Sequence, residues 1–264
     1  MSNENIQSVL SQRPLGLVFD IDGTLSPIAP TPDEARLYPG VASLLQQASE
    51  HAHVAIMTGR ALDNGAAMVN VDGLTYIGSH GLEWCNGLPA LHPVRVAPEA
   101  FAYITPGNML LDLAEKELAL TLPGLIVERK RIGGTIHYRR CSNPEQARQL
   151  ILSLLEEPAQ HLGMRLDQEK QAIEIRTPLA VNKGQALLWF ALLFGLRGII
   201  FAGDDRTDLD AVMELSRLRQ QGIAALAIVV QHSDTPPALL EHADLLVQGV
   251  DGMAELLRQI VASL

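Results

Sequence analysis

Cysteine is scarce in this chain of 264 residues, which contains only Cys85 and Cys141. Their separation fits neither a zinc-binding spacing nor a framework of disulfide bonds. The first segment, MSNENIQSVLSQRP, also lacks the basic-then-apolar pattern of a secretory signal. These features favour a reducing compartment, and we expect the protein to be cytoplasmic.

Basic residues and long apolar runs are also in short supply. The chain has 20 Lys and Arg against 30 Asp and Glu, and its formal net charge is −10. This charge disfavours a general surface for nucleic acid or for anionic membranes. The longest apolar run, ALLWFALLF at 186–194, is too short to span a bilayer. Because the net charge is negative, an anionic substrate would need locally concentrated cations or a metal ion.

Short apolar runs alternate with helical patterns near both ends of the chain. The runs that read as strands are 15–20, 53–58, 74–79, 198–203, 225–231 and 244–248. Continuous apolar strands separated by helices indicate a parallel sheet that is covered on both faces. We therefore predict an α/β fold built on a doubly wound parallel sheet.

The middle of the chain has a different order of helical and strand-like segments. Two helical patterns are separated by strand-like segments around Gly133 and Gly134, and two further strand-like segments follow the second helical pattern. Two helices on an antiparallel sheet make a small α+β domain. The prediction is a core formed by 1–103 and 180–264, with an inserted, smaller α+β cap domain at 104–179.

Polar clusters follow several of the predicted strands. They are Asp20 to Thr24, Thr58 to Arg60 and Gly203 to Asp208, and Asn182 to Gly184 opens a helix. Each cluster alone also fits a helix cap, a solvated loop or surface decoration. Ligands of doubly wound sheets bind where strands end and helices begin, so four clusters at one edge indicate a functional site.

Phosphoryl transfer is the chemistry that needs these residue types. A carboxylate can attack phosphorus and divide hydrolysis into two easier steps, which is the role expected of Asp20. The neighbouring Asp22 can protonate the leaving oxygen and later activate water. Because carboxylates and phosphate repel one another, a hard, oxygen-preferring cation such as Mg²⁺ is required.

The combination of DIDGT, a Thr after the second strand, a later Lys and GDDxxD resembles the haloacid dehalogenase superfamily of phosphohydrolases. The resemblance implies a Rossmann-like core in which Asp20 is the nucleophile and Asp22 the general acid and base. It implies that Thr58 and Lys183 hold the phosphate. The implied metal-binding residues are Asp20, Asp22 through its main-chain carbonyl, Asp204, and Asp208 in support.

A narrower resemblance covers about Leu15 to Leu257. The segments DIDGTLSPI, TGR, GSHGLEW, ERKRIGGTIHYR, IEIRTPLAVNKG and GDDRTDLDAV are similar, in this order, to the trehalose-6-phosphate phosphatase family. The resemblance implies that the cap recognises a disaccharide. The substrate-binding residues it implies are Arg60, His80, Glu83, Glu128, Lys130, Arg139 and Glu174.

The cap residues also have ordinary interpretations. Strand alternation places Glu128 and Lys130 on one side of a strand, where they could face a ligand or only water. Glu174 fits the polar side of a half-buried strand. The chain departs from the family pattern at Leu209, where an acid is usual, and at Val212, where an aromatic is usual. These departures leave the sugar open.

The expected activity is Mg²⁺-dependent hydrolysis of trehalose 6-phosphate to trehalose and phosphate through an aspartyl-phosphate, by a monomer without nucleic-acid or membrane partners. The alternatives are a phosphatase for another phosphosugar, such as sucrose, glucosylglycerol or mannosylglycerate phosphate, a mutase with a similar cap, or a phosphosugar sensor without turnover. A substrate panel separates them, because a mutase releases no net phosphate and a sensor turns nothing over.

Overall fold

The computed structural model describes residues 2–31, 34–169 and 171–264. The helices are α1 Ser2–Leu10, α2 Val41–Ser49, α3 Leu62–Val69, α4 Ile104–Leu118, α5 Pro144–His161, α6 Lys183–Leu193, α7 Asp208–Gln220, α8 Pro237–Glu241 and α9 Gly249–Ala262. The strands are β1 Leu15–Phe19, β2 His53–Met57, β3 Thr75–Gly78, β4 Glu83–Asn86, β5 Arg95–Val96, β6 Ile126–Arg129, β7 Gly134–His137, β8 Arg165–Glu169, β9 Ala172–Arg176, β10 Gly198–Gly203, β11 Ala224–Gln231 and β12 Leu245–Gln248.

The chain folds into two compact units. The first consists of Met1–Arg95 and Val181–Leu264, and the second is the intervening segment Val96–Ala180. The sequence predicts a cap domain at 104–179, whereas the second compact unit spans Val96–Ala180 and includes a short segment ahead of α4. Within the described residues, no helix combines the length and hydrophobicity that a bilayer span requires.

The first unit contains an eight-stranded sheet in the order β12-β11-β10-β1-β2-β3-β4-β5. The strands from β12 to β3 pair in parallel, whereas β4 runs antiparallel to β3. The predicted α/β fold with a doubly wound parallel sheet and a separate α+β unit is therefore confirmed. The parallel strands bring their carboxyl ends to one edge of the sheet.

Both faces of this sheet are buried, which explains why its central strand reads as a continuous apolar run. In β1, Leu15, Leu17 and Phe19 belong to the core shared with α1, α2, α3 and α9. The alternate residue Val18 belongs to the opposite core, with α6, α7 and α8. Burial of each such side chain stabilises the folded state by about 1.5–3 kcal/mol. The strands that carry polar residues at their ends are therefore firmly held.

The second unit is a four-stranded sheet, in the order β6-β7-β9-β8, covered on one face by α4 and α5. The apolar side of the sheet is formed by residues such as Ile136, Ile173 and Ile175. The β6–β7 hairpin closes with the Lys130 N–H donating to the Gly133 carbonyl at 3.1 Å. Gly133 has φ +72°, and a Cβ there would lie 2.1 Å from the Ile175 carbonyl oxygen, so only glycine fits.

The other face of this small sheet is polar. Register places Glu128 opposite Thr135, Thr135 opposite Glu174, and Glu174 opposite Asp167. Residues directly opposite in antiparallel strands share a face, so these four side chains form a row across the sheet. Glu128 and Glu174 thus lie on the polar face of the sheet, opposite the face that α4 and α5 cover, as side-chain alternation along a strand predicts.

Candidate functional site

A buried ion-pair cluster lies at the carboxyl ends of β1 and β10. Asp20 follows β1, and its backbone N–H donates to the Ala202 carbonyl of β10 at 2.9 Å. Its Oδ1 lies 3.0 Å from Nζ of Lys183, the first residue of α6. The same ammonium donates to Oδ1 of Asp208 at 2.6 Å. The structure therefore brings the predicted nucleophile and the predicted lysine together, with one cation shared by two carboxylates.

Asp208 also shapes the turn that follows β10. Its Oδ2 accepts the backbone N–H groups of Asp204 at 2.9 Å and Asp205 at 3.0 Å. Asp205 in turn accepts the Thr207 N–H and hydroxyl, each at 2.8 Å. Both oxygens of Asp208 are thus engaged in holding Lys183 and the turn, while the Asp204 carboxylate points to the first polar loop.

The turn after β1 packs directly against Asp204. Gly23 has φ +81°, and a Cβ at this position would lie 2.0 Å from Asp204 Oδ2, so the turn requires glycine. The Thr24 hydroxyl donates to Asp204 Oδ1 at 3.0 Å. The DIDGT segment and the GDD turn, 180 residues apart, are therefore joined by hydrogen bonding and close packing.

Asp22 faces a different partner. Its Oδ2 accepts from Arg60 Nε and its Oδ1 from Arg60 Nη2, each at 2.6 Å. Arg60 lies just after β2, and its side chain is 12% exposed against 37% for Asp22. The predicted acid and the predicted substrate-binding arginine thus form a two-pronged pair at the more open side of the cluster.

The loops after β2 and β3 are tied together. The Thr58 hydroxyl accepts the Arg60 N–H at 3.2 Å, and the Thr58 carbonyl accepts the His80 N–H at 3.1 Å. The Ser79 N–H donates to the Arg60 carbonyl at 2.8 Å. Ser79 and His80 have φ +49° and +57°, a left-handed conformation that costs about 1–3 kcal/mol for each non-glycine residue. Such strain is held in place here by contacts with the Thr58 loop.

Glu83 and His80 support the same region. Glu83 is fully buried, and its Oε1 accepts the Ser79 hydroxyl at 2.8 Å. The imidazole of His80 lies over Gly59, where a Cβ would be 2.6 Å from Cε1. The structure therefore places both predicted residues beside Thr58 and Arg60; their contact with substrate stays a prediction.

The electrostatics of the cluster reflect its burial. Burial raises the pKa of Asp20 well above its ordinary value, although Lys183 acts in the opposite direction. Burial, together with the charges of Asp208 and Asp205, raises the pKa of Asp204 to about 8. Burial also raises the pKa of Asp208 to about 6, against the attraction of Lys183. Burial opposes the charge of Lys183, but the attraction of the carboxylates raises its pKa overall.

The acidic cluster suits a hard divalent cation. Asp20, Asp204 and Asp208 each offer a carboxylate oxygen, and these three oxygens lie within 4.8 Å of one another. Burial is the main cause of the raised pKa values of these acids, and the negative charge of neighbouring carboxylates, which one ammonium cannot balance, adds to it. Oxygen donors in a negatively charged, buried group are what Mg²⁺ prefers. The residues present therefore fit the predicted ion.

Three predicted residues of the second unit, Glu128, Lys130 and Glu174, belong to the polar face of its sheet. Lys130 Nζ lies 2.5 Å from Glu174 Oε1, and their side chains are only 7% and 9% exposed. Glu128 Oε2 lies 2.9 Å from His137 Nε2. Arg139 Nε donates to the side chain of Gln171 at 3.2 Å in an exposed setting. The first four form an ordered polar group, whereas Arg139 lies at the surface.

Several residues of these two polar regions carried no role in the sequence-based prediction. They are Thr24, Ser79, Asp205, His232, Thr135 and Asp167. Thr24 and Asp205 lie inside the recognised motifs, so their neighbours gave a signal. Ser79 also lies inside a recognised segment, GSHGLEW, but its left-handed backbone angle cannot be predicted from the sequence.

Comparisons with known proteins identify the family of this chain. A family model described as trehalose-phosphatase matches residues 18–239. The trehalose-phosphate phosphatase of Mycobacterium leprae is 32% identical over 237 residues, which cover 85% of this chain and 52% of that protein. The corresponding protein of Mycobacterium avium is 30% identical over 230 residues, covering 85% and 56%. The chain thus spans about half the length of these curated relatives.

Solved structures show the same fold. A trehalose-6-phosphate phosphatase related protein has TM-score 0.75 and 27% identity, covering 93% of this chain and 97% of that one. The C-terminal domain of the C. albicans trehalose-6-phosphate phosphatase has TM-score 0.78 and 18% identity, covering 100% and 98%. A haloacid dehalogenase-like hydrolase from Bacteroides thetaiotaomicron has TM-score 0.64 and 15% identity, covering 94% and 100%. At these identities, the latter two bear on fold alone.

Proposed function

The chain belongs to the trehalose-phosphatase family, and from this premise we propose that it hydrolyses trehalose 6-phosphate to trehalose and phosphate. The observation that carries the proposal is the buried arrangement of Asp20, Lys183 and Asp208 beside Asp204. A carboxylate, a fixed ammonium and an acidic cation site are the parts that phosphoryl transfer through an aspartyl-phosphate requires.

In the first step, the Asp20 carboxylate forms a bond to phosphorus while the bond from phosphorus to the sugar oxygen breaks. Asp22 donates a proton to that leaving oxygen. In the second step, water attacks the aspartyl-phosphate, Asp22 takes a proton from the water, and the phosphorus–oxygen bond to Asp20 breaks. Phosphate leaves, and both aspartates return to their starting forms.

The other core residues hold the phosphate during both steps. The Lys183 ammonium and the Thr58 hydroxyl are donors fixed at the ends of secondary-structure elements, and Arg60 adds a planar, two-pronged donor. Mg²⁺, held by the carboxylates of Asp20 and Asp204 with the main-chain carbonyl of Asp22 and support from Asp208, would offset the negative charge of acids and phosphate.

Recognition of the sugar is assigned to polar residues outside this cluster. In the second unit these are Glu128, Lys130, Arg139 and Glu174, and in the first unit His80 and Glu83. Carboxylates and ammonium groups that are already held by partners are preorganised to bind sugar hydroxyl groups without further loss of side-chain entropy. The ion pair between Lys130 and Glu174 and the contact between Glu128 and His137 support this assignment.

The test is phosphate release from trehalose 6-phosphate in the presence of Mg²⁺, with D20N as the nucleophile variant. D251N, an exposed change in α9, is the matched control. We expect D20N to lose at least about a thousand-fold in kcat, because the attacking group is removed. Equal activity of D20N and D251N would remove Asp20 from the mechanism.

A substrate panel decides the sugar. It compares trehalose 6-phosphate with sucrose, glucosylglycerol and mannosylglycerate phosphates by kcat/KM, and it includes a hexose bisphosphate for mutase activity. We expect the highest kcat/KM for trehalose 6-phosphate. Preference for another ester would change the substrate and leave the chemistry intact.

The proposal includes a cytoplasmic monomer without nucleic-acid or membrane partners. The net charge of −10 supports the absence of nucleic-acid and anionic-membrane partners, and the two free, buried cysteines support a reducing compartment. Light scattering of the purified chain across a range of concentrations tests the monomer, and a concentration-independent mass near 28.6 kDa is the expected result.

A further inference from the structure

His232, outside every motif considered above, makes a close contact with the turn that carries Asp22. It follows β11, and its Nε2 lies 2.6 Å from the carbonyl oxygen of Gly23. A carbonyl can only accept a hydrogen bond, so Nε2 is the ring nitrogen that bears the hydrogen. The contact joins two loops that are 209 residues apart in the chain.

The loop that carries His232 is itself well fixed. The Thr235 hydroxyl accepts the backbone N–H of His232 at 2.8 Å and donates to the carbonyl of Val230 at 3.2 Å. Thr235 is 9% exposed. Since β11 is a buried interior strand of the sheet, this loop is a rigid support from which the imidazole reaches Gly23.

The acceptor is a sensitive point of the candidate site. The Gly23 N–H donates to the Ser26 carbonyl at 2.8 Å, and Gly23 packs on the carboxylate of Asp204. The next residue, Thr24, donates its hydroxyl to that same carboxylate at 3.0 Å. The peptide between Gly23 and Thr24 is thus held by His232 on one side and fits against Asp204 on the other.

We propose that His232 is a positioning residue: its hydrogen bond to the Gly23 carbonyl fixes the turn Asp22–Thr24 against Asp204. Without the bond, this peptide can rotate, because glycine at φ +81° resists rotation less than any other residue. The Asp204 carboxylate then loses its fixed Thr24 donor, and Asp22 loses its fixed backbone. Only the effects on Mg²⁺ binding and on turnover rest on the proposed function.

The first test measures the turn directly by hydrogen exchange of peptides covering 19–27. H232L removes the donor, H232Q restores an amide hydrogen at similar reach, and H242L is the matched control, because the exposed His242 also contacts a backbone carbonyl, that of Ala238. We expect exchange in this segment to be about five-fold faster in H232L, as loss of one hydrogen bond predicts, and unchanged in H242L.

The second test measures Mg²⁺ binding and steady-state kinetics of the folded protein. A loss of stability alone would leave both unchanged. We expect H232L to weaken Mg²⁺ binding and to lower kcat, each about five-fold, with KM for trehalose 6-phosphate within about two-fold of wild type. H232Q should restore both. If H232L does not fold, H232N serves in its place, because its amide is too short to reach Gly23.

The outcomes distinguish the positioning role of His232 from the proposed function. Wild-type exchange at 19–27 in H232L, or a folded H232Q that behaves like H232L, would overturn the positioning role. Absence of wild-type activity on every phosphosugar would instead contradict the proposed function, and the exchange experiment would still decide the role of His232.

Discussion

The guanidinium of Arg60 binds both carboxylate oxygens of Asp22, with each nitrogen–oxygen distance 2.6 Å. A carboxylate whose two oxygens both accept hydrogen bonds from a guanidinium is less available for the proton exchange that a general acid and base performs. Phosphate is the natural competitor for the same two-pronged donor. We therefore expect the substrate phosphate to take Arg60 from Asp22, which frees Asp22 to exchange protons with the leaving oxygen and with water.

Replacing Arg60 by lysine keeps the charge and removes the planar pair of donors. Charge-assisted hydrogen bonds are worth about 1.5–3 kcal/mol, so we expect R60K to lose about ten- to hundred-fold in kcat/KM for trehalose 6-phosphate. Steady-state kinetics checks this. R148K is the control, because Arg148 makes a similar two-pronged pair with the exposed Glu145 on α5. Equal losses in both variants would contradict the role of Arg60.

The response to Mg²⁺ should depend on pH. The metal-free carboxyl of Asp204 has a pKa of about 8, raised from 3.8 first by burial. Between these values the folded state binds more protons than the unfolded state, so this group makes metal-free protein less stable as pH rises. A cation must displace the proton below the raised pKa, so its apparent affinity increases as pH rises to about 8.

The measurement is the melting temperature with EDTA and with Mg²⁺ at about pH 6 and about pH 8, which lie in the window of the raised pKa. We expect Mg²⁺ to raise the melting temperature more at the higher pH. D204N, which removes the Asp204 titration, should show a smaller Mg²⁺ effect with a weaker pH dependence, because the pKa values of Asp20 and Asp208 remain raised. A larger Mg²⁺ effect at the lower pH in wild type would contradict the assignment of Asp204.

A methyl group added at Gly59 should disturb the loop that carries Thr58. A Cβ there would lie 2.6 Å from Cε1 of His80, so the ring must move, at a cost of about 1–3 kcal/mol. We expect G59A to lower both the melting temperature and kcat. Adding H80A should remove the clash, so the double variant should match H80A alone.

Gly252 supplies the control for this pair. It lies in α9, and a Cβ there would make only an ordinary contact, 3.8 Å from Val247 Cβ. We expect G252A to be neutral or slightly stabilising, because alanine favours helices. Thermal melting and a double-mutant cycle measure these effects. A G59A defect that H80A does not relieve would show that the clash is not its cause.

Glu174 should separate sugar recognition from phosphate chemistry. Its pair with Lys130 is almost buried on the polar face of the small sheet. We expect E174Q to raise KM for trehalose 6-phosphate about ten-fold, because a charge-assisted hydrogen bond is lost, and to leave kcat for p-nitrophenyl phosphate unchanged. E145Q, at the exposed start of α5, is the control. Equal effects of E174Q on both substrates would contradict a role in sugar binding.

The grouping of the core residues could be predicted because it follows from topology. Once β1, β2 and β10 are read as buried parallel strands, the residues after them must meet at one edge. The strand order therefore predicts that Asp20, Thr58 and Asp204 lie near one another. The paired helices and antiparallel strands of the second unit followed from a change in periodicity.

The individual partners could not be predicted, because they depend on side-chain directions rather than on strand order. Nothing in the sequence shows that Arg60 turns to Asp22, or that Glu83 lies beneath Ser79. The strand β4 was missed because four residues give too little alternation to distinguish a strand from a loop. His232 was missed because a lone histidine after a strand has no spacing that marks it.

The placement of the second unit within the chain has a consequence for biosynthesis. The central strand β1 pairs with β10, and Leu15 lies opposite Gly198, so the ribosome must translate the whole inserted segment before that partner exists. Pairings at such sequence separation form slowly. The nascent chain therefore carries Asp20 without the GDD turn until residues 203–208 have been translated, and the proposed phosphate chemistry requires both.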